Sequence, residues 1–229
     1  MITAIIPARG GSKRIPSKNI RAFAGKPIIG WSIEAAKASG IFDRIIVSTD
    51  DGKIADVARQ FGADVPFVRP AALSDDQTGT LPVIYHAAKW LSEQGISVDL
   101  VCCIYATAPF VEPQALAQGL KAMKETGADF ALAVTSFPFP IQRALRITAA
   151  GRLEPIDRQT ILARSQDLEE TWHDAGQFFW SKPNVLLDDL ASLLQRAVPL
   201  RLPRHLVQDI DTEEDWTRAE LMFRAMRLD

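Results

Sequence analysis

An alternation of short apolar runs with amphipathic stretches, sustained from the N-terminus to Ser136, constrains this chain more than any other feature. Residues 3–7 (TAIIP) are apolar on both faces, as a buried parallel strand is. Pro27 then precedes a helical pattern over 28–38, and 44–48 (RIIVS) is a second strand. Thr49-Asp50-Asp51 offers side-chain oxygens to cap a helix over 53–61. A third short strand is expected over 65–68, closed by Arg69-Pro70. Over 80–94, Val83, Ile84, Ala87, Ala88 and Leu91 recur at helical spacing. The most apolar run, 100–105 (LVCCIY), reads as a central strand. Pro113 suits the first turn of a helix over 113–126, and 130–135 is a further strand. Strands separated by helices need crossover connections, so the expectation is a doubly wound, mostly parallel, Rossmann-like α/β sheet. Ligands of such sheets collect at the carboxyl ends of the strands.

The rhythm breaks after Ser136. Residues 137–170 contain Pro138, Pro140 and Pro155 and the alternating Leu145-Arg146-Ile147-Thr148, which suggests a small β-rich arm or lid. Strand character returns over 177–181, and a helix over 213–226 carries Trp216, Ala219, Leu221, Met222 and Phe223. The expectation is one domain, 1–229, with 137–170 as its excursion. At 47% hydrophobic and 24% charged residues the chain has enough apolar side chains for a core, which excludes a disordered chain. No apolar run reaches the roughly 18–20 residues of a membrane span. The first seven residues lack the basic region of a signal peptide. The net charge of −2 argues against nucleic-acid binding across the whole surface. Cys102 and Cys103, the two cysteines, are strand neighbours that point to opposite faces. The lack of a disulfide framework suits the cytoplasm.

The near-neutral total hides a local bias. Between Met1 and Ile33 there is no Asp or Glu, yet Arg9, Lys13, Arg14, Lys18, Arg21 and Lys26 all occur. The loop after the first strand, Ala8 to Asn19, joins these cations to Gly10, Gly11 and Ser12. Glycines let backbone amides approach an anion, Ser12 adds a hydroxyl, and Arg9 and Lys18 can neutralise phosphate oxygens. A solvated surface turn is the plainer reading of the same residues. The loop matches neither G-x-x-x-x-G-K-[ST] nor G-x-G-x-x-G. G-x-S-x-G, H-E-x-x-H and C-x-x-C are also absent, so hydrolase and zinc readings find no support. Asp209-Ile210-Asp211 in an extended segment turns both carboxylates to one side, a hard-oxygen pair suited to Mg²⁺. Asp211-Thr212 also resembles a helix cap, and both roles can coexist. Asp50-Asp51, Asp188-Asp189 and Glu213-Glu214 read as caps or exposed faces. His86 reads as a packing residue and His205 as isolated. His173 sits in a polar-aromatic cluster beside Trp172 and Asp174.

The segment from Ile6 to Asn19 resembles the N-terminal signature of the CMP-sugar synthetases that activate nine-carbon 2-keto acids. Residues 42–51 (FDRIIVSTDD), Arg69-Pro70 and Asp209-Ile210-Asp211-Thr212 continue the resemblance in order. Within this acylneuraminate cytidylyltransferase family, residues 105–110 (YATAPF) and 164–180 (RSQDLEETWHDAGQFFW) are most similar to the pseudaminic acid branch. The sialic acid members carry other residues at the positions of Tyr105, Val111 and Ala175. The resemblance implies a glycosyltransferase-A-like nucleotidyltransferase fold with a dimerisation arm. It implies transfer of CMP from CTP to the anomeric hydroxyl of a nonulosonic acid, with Mg²⁺ as cofactor and a homodimer as the working form. Carried over residue by residue, Ala8, Arg9, Gly10, Gly11, Ser12, Lys18 and Asn19 would bind the nucleotide. Arg69, Asp76 and Thr80 would line its pocket, and Asp209 and Asp211 would hold the metal. Tyr105, Gln166, His173, Gln177 and Phe179 would shape the sugar pocket, with Arg164 for the sugar carboxylate. The rival readings are CMP-N-acetylneuraminate or CMP-legionaminate synthesis, a sugar-1-phosphate nucleotidyltransferase, and a non-catalytic nucleotide-binding module.

Overall fold

A computed structural model describes residues 1–226. In chain order the elements are β1 (Ile2–Pro7), β2 (Ala22–Phe23), β3 (Lys26–Pro27), α1 (Ile28–Ser39), β4 (Arg44–Ser48), α2 (Gly52–Gln60), α3 (Thr80–Glu93) and β5 (Leu100–Ile104). They continue with α4 (Pro113–Thr126), β6 (Phe130–Ser136), β7 (Leu145–Ile147), β8 (Leu153–Pro155), β9 (Trp172–Ser181), α5 (Leu190–Gln195), β10 (Val198–Arg201) and α6 (Glu213–Ala225). Six strands form one sheet in the order β10-β6-β9-β5-β1-β4. β4 and β5 pair parallel with β1, and β10 parallel with β6. β9 runs antiparallel between β5 and β6. The carboxyl ends of five strands and the start of β9 therefore share one edge.

The sheet is covered on both faces, which explains why its strands read as continuous apolar runs. Cys102 packs with Ala4, Ile6, Ile29 and Trp180 on one face, and Cys103 with Ile5, Ile84, Phe130 and Phe179 on the other. Both thiols are free, and burial pushes their pKa values up. α3 buries the five apolar side chains expected from its spacing. No helix among the described residues is long and apolar enough to cross a membrane.

A third apolar cluster fixes the loops of interest. Ile15, Phe23, Ile28, Phe110, Ile210, Trp216, Ala219 and Phe223 pack together, tying the cationic loop after β1 to α6 and the segment before it. Ile15 and Ile210 are fully buried. Each such burial stabilises by about 1.5–3 kcal/mol. Because Ile210 points inward, its neighbours Asp209 and Asp211 are held by a buried anchor between them.

The structure departs from expectation at the β2–β3 pair, where a plain loop is expected, and in the places that follow. Residues 65–68 form no strand; a single bridge, Ile46 to Asp64, marks the sheet edge. Pro66 lacks the N–H that an added strand would need. β9 starts five residues earlier than expected, at Trp172. Its pairing with β6 is broken by a bulge: Leu132 faces Phe179 but Val134 faces Asp174. α5 and β10 were not anticipated. The excursion is the expected β-rich unit, a β7–β8 hairpin flanked by short turns.

Candidate active site

A cavity of about 480 Å³ opens at the carboxyl edge of the sheet, between the ends of β1 and β5 and the start of α3. That volume falls in the range of small-molecule sites. Its cations are Arg9, Lys13, Arg14, Lys18 and Arg69. Arg9 and Lys13 both pair with Asp76, while Arg14 (2.9 Å) and Lys18 (3.4 Å) pair with Asp211. The hydrogen bonds from Lys13 and Arg9 hold the Asp76 carboxyl below its ordinary pKa. Lys18 Nζ also donates to the Ile210 carbonyl at 2.6 Å. Asn19 donates to the Arg9 carbonyl at 2.8 Å, which shapes the loop from inside. Arg69 is 5% exposed and donates to the carbonyl and hydroxyl of Ser48. Burial lowers its pKa, but an arginine remains charged.

Tyr105, at the end of β5, borders three cavities. Besides the cationic one, it lines a second of about 290 Å³ with Lys18, Thr107, Asp174, Gly176, Asp209 and Asp211. It also lines a third of about 480 Å³, formed by Leu132, Val134, Trp172, His173, Phe179, Leu190 and others. Desolvation raises the Tyr105 phenol well above its ordinary pKa, although a hydrogen bond with the Thr80 side chain opposes the shift. The phenol is therefore neutral and able to donate at any working pH. Two strongly different environments thus meet at one ring: a polycationic basin and an apolar chamber.

Asp209 and Asp211 are not spent on capping. Thr212 caps α6 instead, accepting from the Asp215 amide at 3.2 Å while Asp215 accepts from Thr212 N–H at 2.9 Å. Partial desolvation, then the Asp211 charge, raises the Asp209 pKa. Among the described residues no group of three or more His, Cys, Asp or Glu is arranged to hold a metal ion. The donor set is thus two carboxylates beside the basin. That fits Mg²⁺, which takes one or two carboxylates and fills its shell with water and phosphate oxygens.

Arg9, Ser12, Lys18, Asn19, Arg69, Asp76, Thr80, Tyr105 and Asp211 come together around the cationic cavity. Asp209 joins them in the second cavity, and His173 and Phe179 line the third. Six residues lie elsewhere. Ala8 is buried and its amide pairs with the Ser48 carbonyl. The Gly10 amide donates to Asp50 Oδ1 at 3.0 Å, and a Cβ there would stand 2.8 Å from Asp51 Oδ2. Its small size thus serves contact with the start of α2 rather than approach to an anion. Gly11 lies outside the cavity walls. Gln177 is 2% exposed and its amide donates to the Leu206 carbonyl. Arg164 pairs with Asp167 on the exposed arm, and Gln166 is exposed beside it. Of the three positions expected to differ from the sialic acid pattern, Val111 and Ala175 are core residues and only Tyr105 faces the cavities. The sequence reading did not assign Lys13, Arg14, Thr107 or Asp174. The charge of the loop pointed to the first two, whereas Asp174 gave no signal because the bulge in β9 places it.

A sequence model of the cytidylyltransferase family matches residues 3–213. The chain is 42% identical over 220 residues to a pseudaminic acid cytidylyltransferase of Campylobacter jejuni, covering 96% of this chain and 95% of that one. It is 33% identical to N-acylneuraminate cytidylyltransferase A of Danio rerio, covering 96% of this chain and 50% of that one. Among solved structures, a CMP:2-keto-3-deoxy-manno-octonic acid synthetase complexed with CTP superposes with a TM-score of 0.70. Its identity is 16%, and the match covers 98% of this chain and 99% of that one. That likeness is one of fold, and the matches in sequence carry the lineage: this chain belongs to the cytidylyltransferase family.

Proposed function

We propose that this protein transfers CMP from CTP to the anomeric hydroxyl of a nine-carbon 2-keto sugar acid, pseudaminic acid, releasing pyrophosphate. The observation that carries the reading is the five-cation basin at the sheet edge, joined through Tyr105 to an apolar chamber, in a chain 42% identical to a pseudaminic acid cytidylyltransferase. The anomeric oxygen forms a bond to the α-phosphorus of CTP as the bond from that phosphorus to pyrophosphate breaks. Such chemistry needs alignment and charge neutralisation rather than a covalent group. Arg9, Lys13, Arg14 and Lys18 supply the positive charge, and Arg69 and Asn19 keep the loop and the strand ends in place. Asp209 and Asp211 would hold Mg²⁺, which offsets charge on the attacked phosphate and the leaving pyrophosphate. A pyrophosphate-release panel tests this: CTP with pseudaminic, legionaminic and N-acetylneuraminic acids and with sugar 1-phosphates. Preference for pseudaminic acid by at least 10-fold in kcat/KM is expected. Equal use of N-acetylneuraminate overturns the substrate, and activity with sugar 1-phosphates alone overturns the class.

The working form is a homodimer in the cytoplasm. Support comes from the arm over 137–170, where Phe139 is 79%, Ile147 76% and Leu162 93% exposed. So much exposed apolar surface along one excursion supports its burial against a second copy. Arg143, Arg158 and Arg164 accompany it and would reach toward the neighbouring site. Light scattering at micromolar concentration is expected to give twice the chain mass. A fully active monomer overturns the arrangement.

A further inference from the structure

We infer that Asp174 is a specificity-determining residue: its carboxylate accepts an N–H or O–H of the sugar acid at the mouth of the apolar chamber. By its charge it also turns the substrate's own carboxylate toward the basin. The inference rests on the cytidylyltransferase reading and names the group that orients the acceptor.

Asp174 occupies a junction. It lines the apolar chamber with Trp172, His173 and Phe179, and also the small cavity with Lys18 and Asp209. The bulge in β9 puts it there, since three consecutive features break the strand at this point: the register shift against β6, the positive φ of 62° at Gly176, and an Asp174 Oδ1 that accepts from the Gly176 amide at 2.8 Å. Bulges of this kind re-aim side chains next to binding sites. Two of the neighbouring carboxylates have ion-pair partners: Asp76 has Arg9 and Lys13, and Asp211 has Arg14 and Lys18, whereas Asp209, assigned to the metal, has no ion pair among the described residues. Asp174 has no lysine or arginine partner among the described residues. A carboxylate offers about four acceptor positions, so one bond from Gly176 leaves most of its capacity for a ligand.

Charge sorting gives the orientation. A sugar acid entering these cavities carries one carboxylate and several neutral donors. The small cavity sets three carboxylates, Asp174, Asp209 and Asp211, against the single ammonium of Lys18, so the substrate's carboxylate is repelled from it and drawn toward the basin, where Arg9, Lys13, Arg14 and Arg69 stand. The neutral, acylamino-bearing end then faces Asp174, with its alkyl groups in the chamber of Leu132, Val134, Trp172 and Phe179. A site built to accept a hydrogen bond rejects an analogue that lacks the donor far better than an apolar wall could.

The deciding variant is Asp174→Asn. It keeps an oxygen for the Gly176 amide and removes the charge. With pseudaminic acid and CTP, KM for the sugar acid is expected to rise about 10- to 100-fold. KM for CTP and the half-saturating Mg²⁺ concentration are expected to stay within about twofold. A sugar KM within threefold of the unaltered protein overturns the inference, as does a shift confined to Mg²⁺, which makes Asp174 a metal ligand instead. Should the variant melt early, the unaltered protein decides with analogues in which single donors are replaced by hydrogen or N-methyl groups. One such analogue is expected to lose at least 10-fold in kcat/KM; uniform turnover of all of them overturns the inference. An unaltered protein inactive with every nonulosonic acid removes the functional reading itself, whereas an active one indifferent to Asp174→Asn removes only the role of Asp174.

Discussion

Asp211→Ala is expected to lower kcat/KM for CMP transfer by on the order of 10²–10³-fold while melting within a few degrees of the unaltered protein. The two halves of this expectation have separate origins. Its stability cost is small because the Asp211 side chain is 42% exposed and its partners Arg14 and Lys18 are partly solvated. Ion pairs of that kind contribute about 0–1 kcal/mol. The cap of α6 is untouched, since Thr212 and Asp215 provide it. The activity cost is expected to be large because, on the proposed metal role, losing one of two hard-oxygen ligands would leave a phosphate-bound cation with half its protein anchorage. Chelation supplies the independent arm. Pyrophosphate release from EDTA-treated protein is expected to stop and to return on adding Mg²⁺; turnover that persists after chelation overturns the metal role. A variant that loses activity only in proportion to its folded fraction would assign Asp211 to structure.

How much of this was legible in the sequence depended on the range of the interaction concerned. Helix and strand periodicities are local, so β1, β4, β5, β6 and α1 to α4 fall where the spacing predicts, to within a residue or two. The antiparallel insertion of β9 between β5 and β6 is a pairing across long sequence separations, and no local pattern encodes it. α5 is six residues long and buries only Leu193, too little for a periodic signal. β10 contains Pro199, which reads as a loop but is tolerated at the sheet edge.

The candidate site divides in the same way. The cationic loop was legible because a run of 33 residues without an acid is visible in one dimension. The partners that loop finds, Asp76 and Asp211, are distant in sequence, and family resemblance rather than spacing pointed to the first. Gln177 was misplaced for a physical reason: alternation along β9 is lost at the bulge, so the face presented by each residue from 174 to 178 cannot be counted from the strand end. Its amide is consumed by Leu206, and Asp174, three residues earlier, takes the open position. Gly10 looked like an anion-binding glycine by composition, yet its amide and its missing Cβ both answer to α2.

Lys18→Met is expected to cost about 10²–10³-fold in kcat/KM for CTP, the amount usually lost with one preorganised donor to a developing oxyanion. Lys18 is the point where the loop after β1 meets the segment before α6. Its ammonium reaches the Ile210 carbonyl at 2.6 Å and Asp211 at 3.4 Å, and its side chain is 19% exposed. It lines both the cationic basin and the small cavity that holds Asp209 and Asp174. Methionine keeps the stem packed and deletes the charge, so the variant isolates electrostatics from burial. Lys18→Arg keeps the charge but replaces a compact ammonium with a planar fork where an ammonium already sits 2.6 Å from a carbonyl, so partial recovery is expected. Lys26→Met provides the control. Lys26 pairs with Glu34 and stacks over Trp31, outside every cavity wall around Tyr105, and its loss should leave kcat/KM within about threefold. Pyrophosphate release with CTP varied at saturating sugar acid makes the comparison. Equal losses at Lys18 and Lys26 would mean that net charge, rather than the placed ammonium, does the work, and would overturn the assignment.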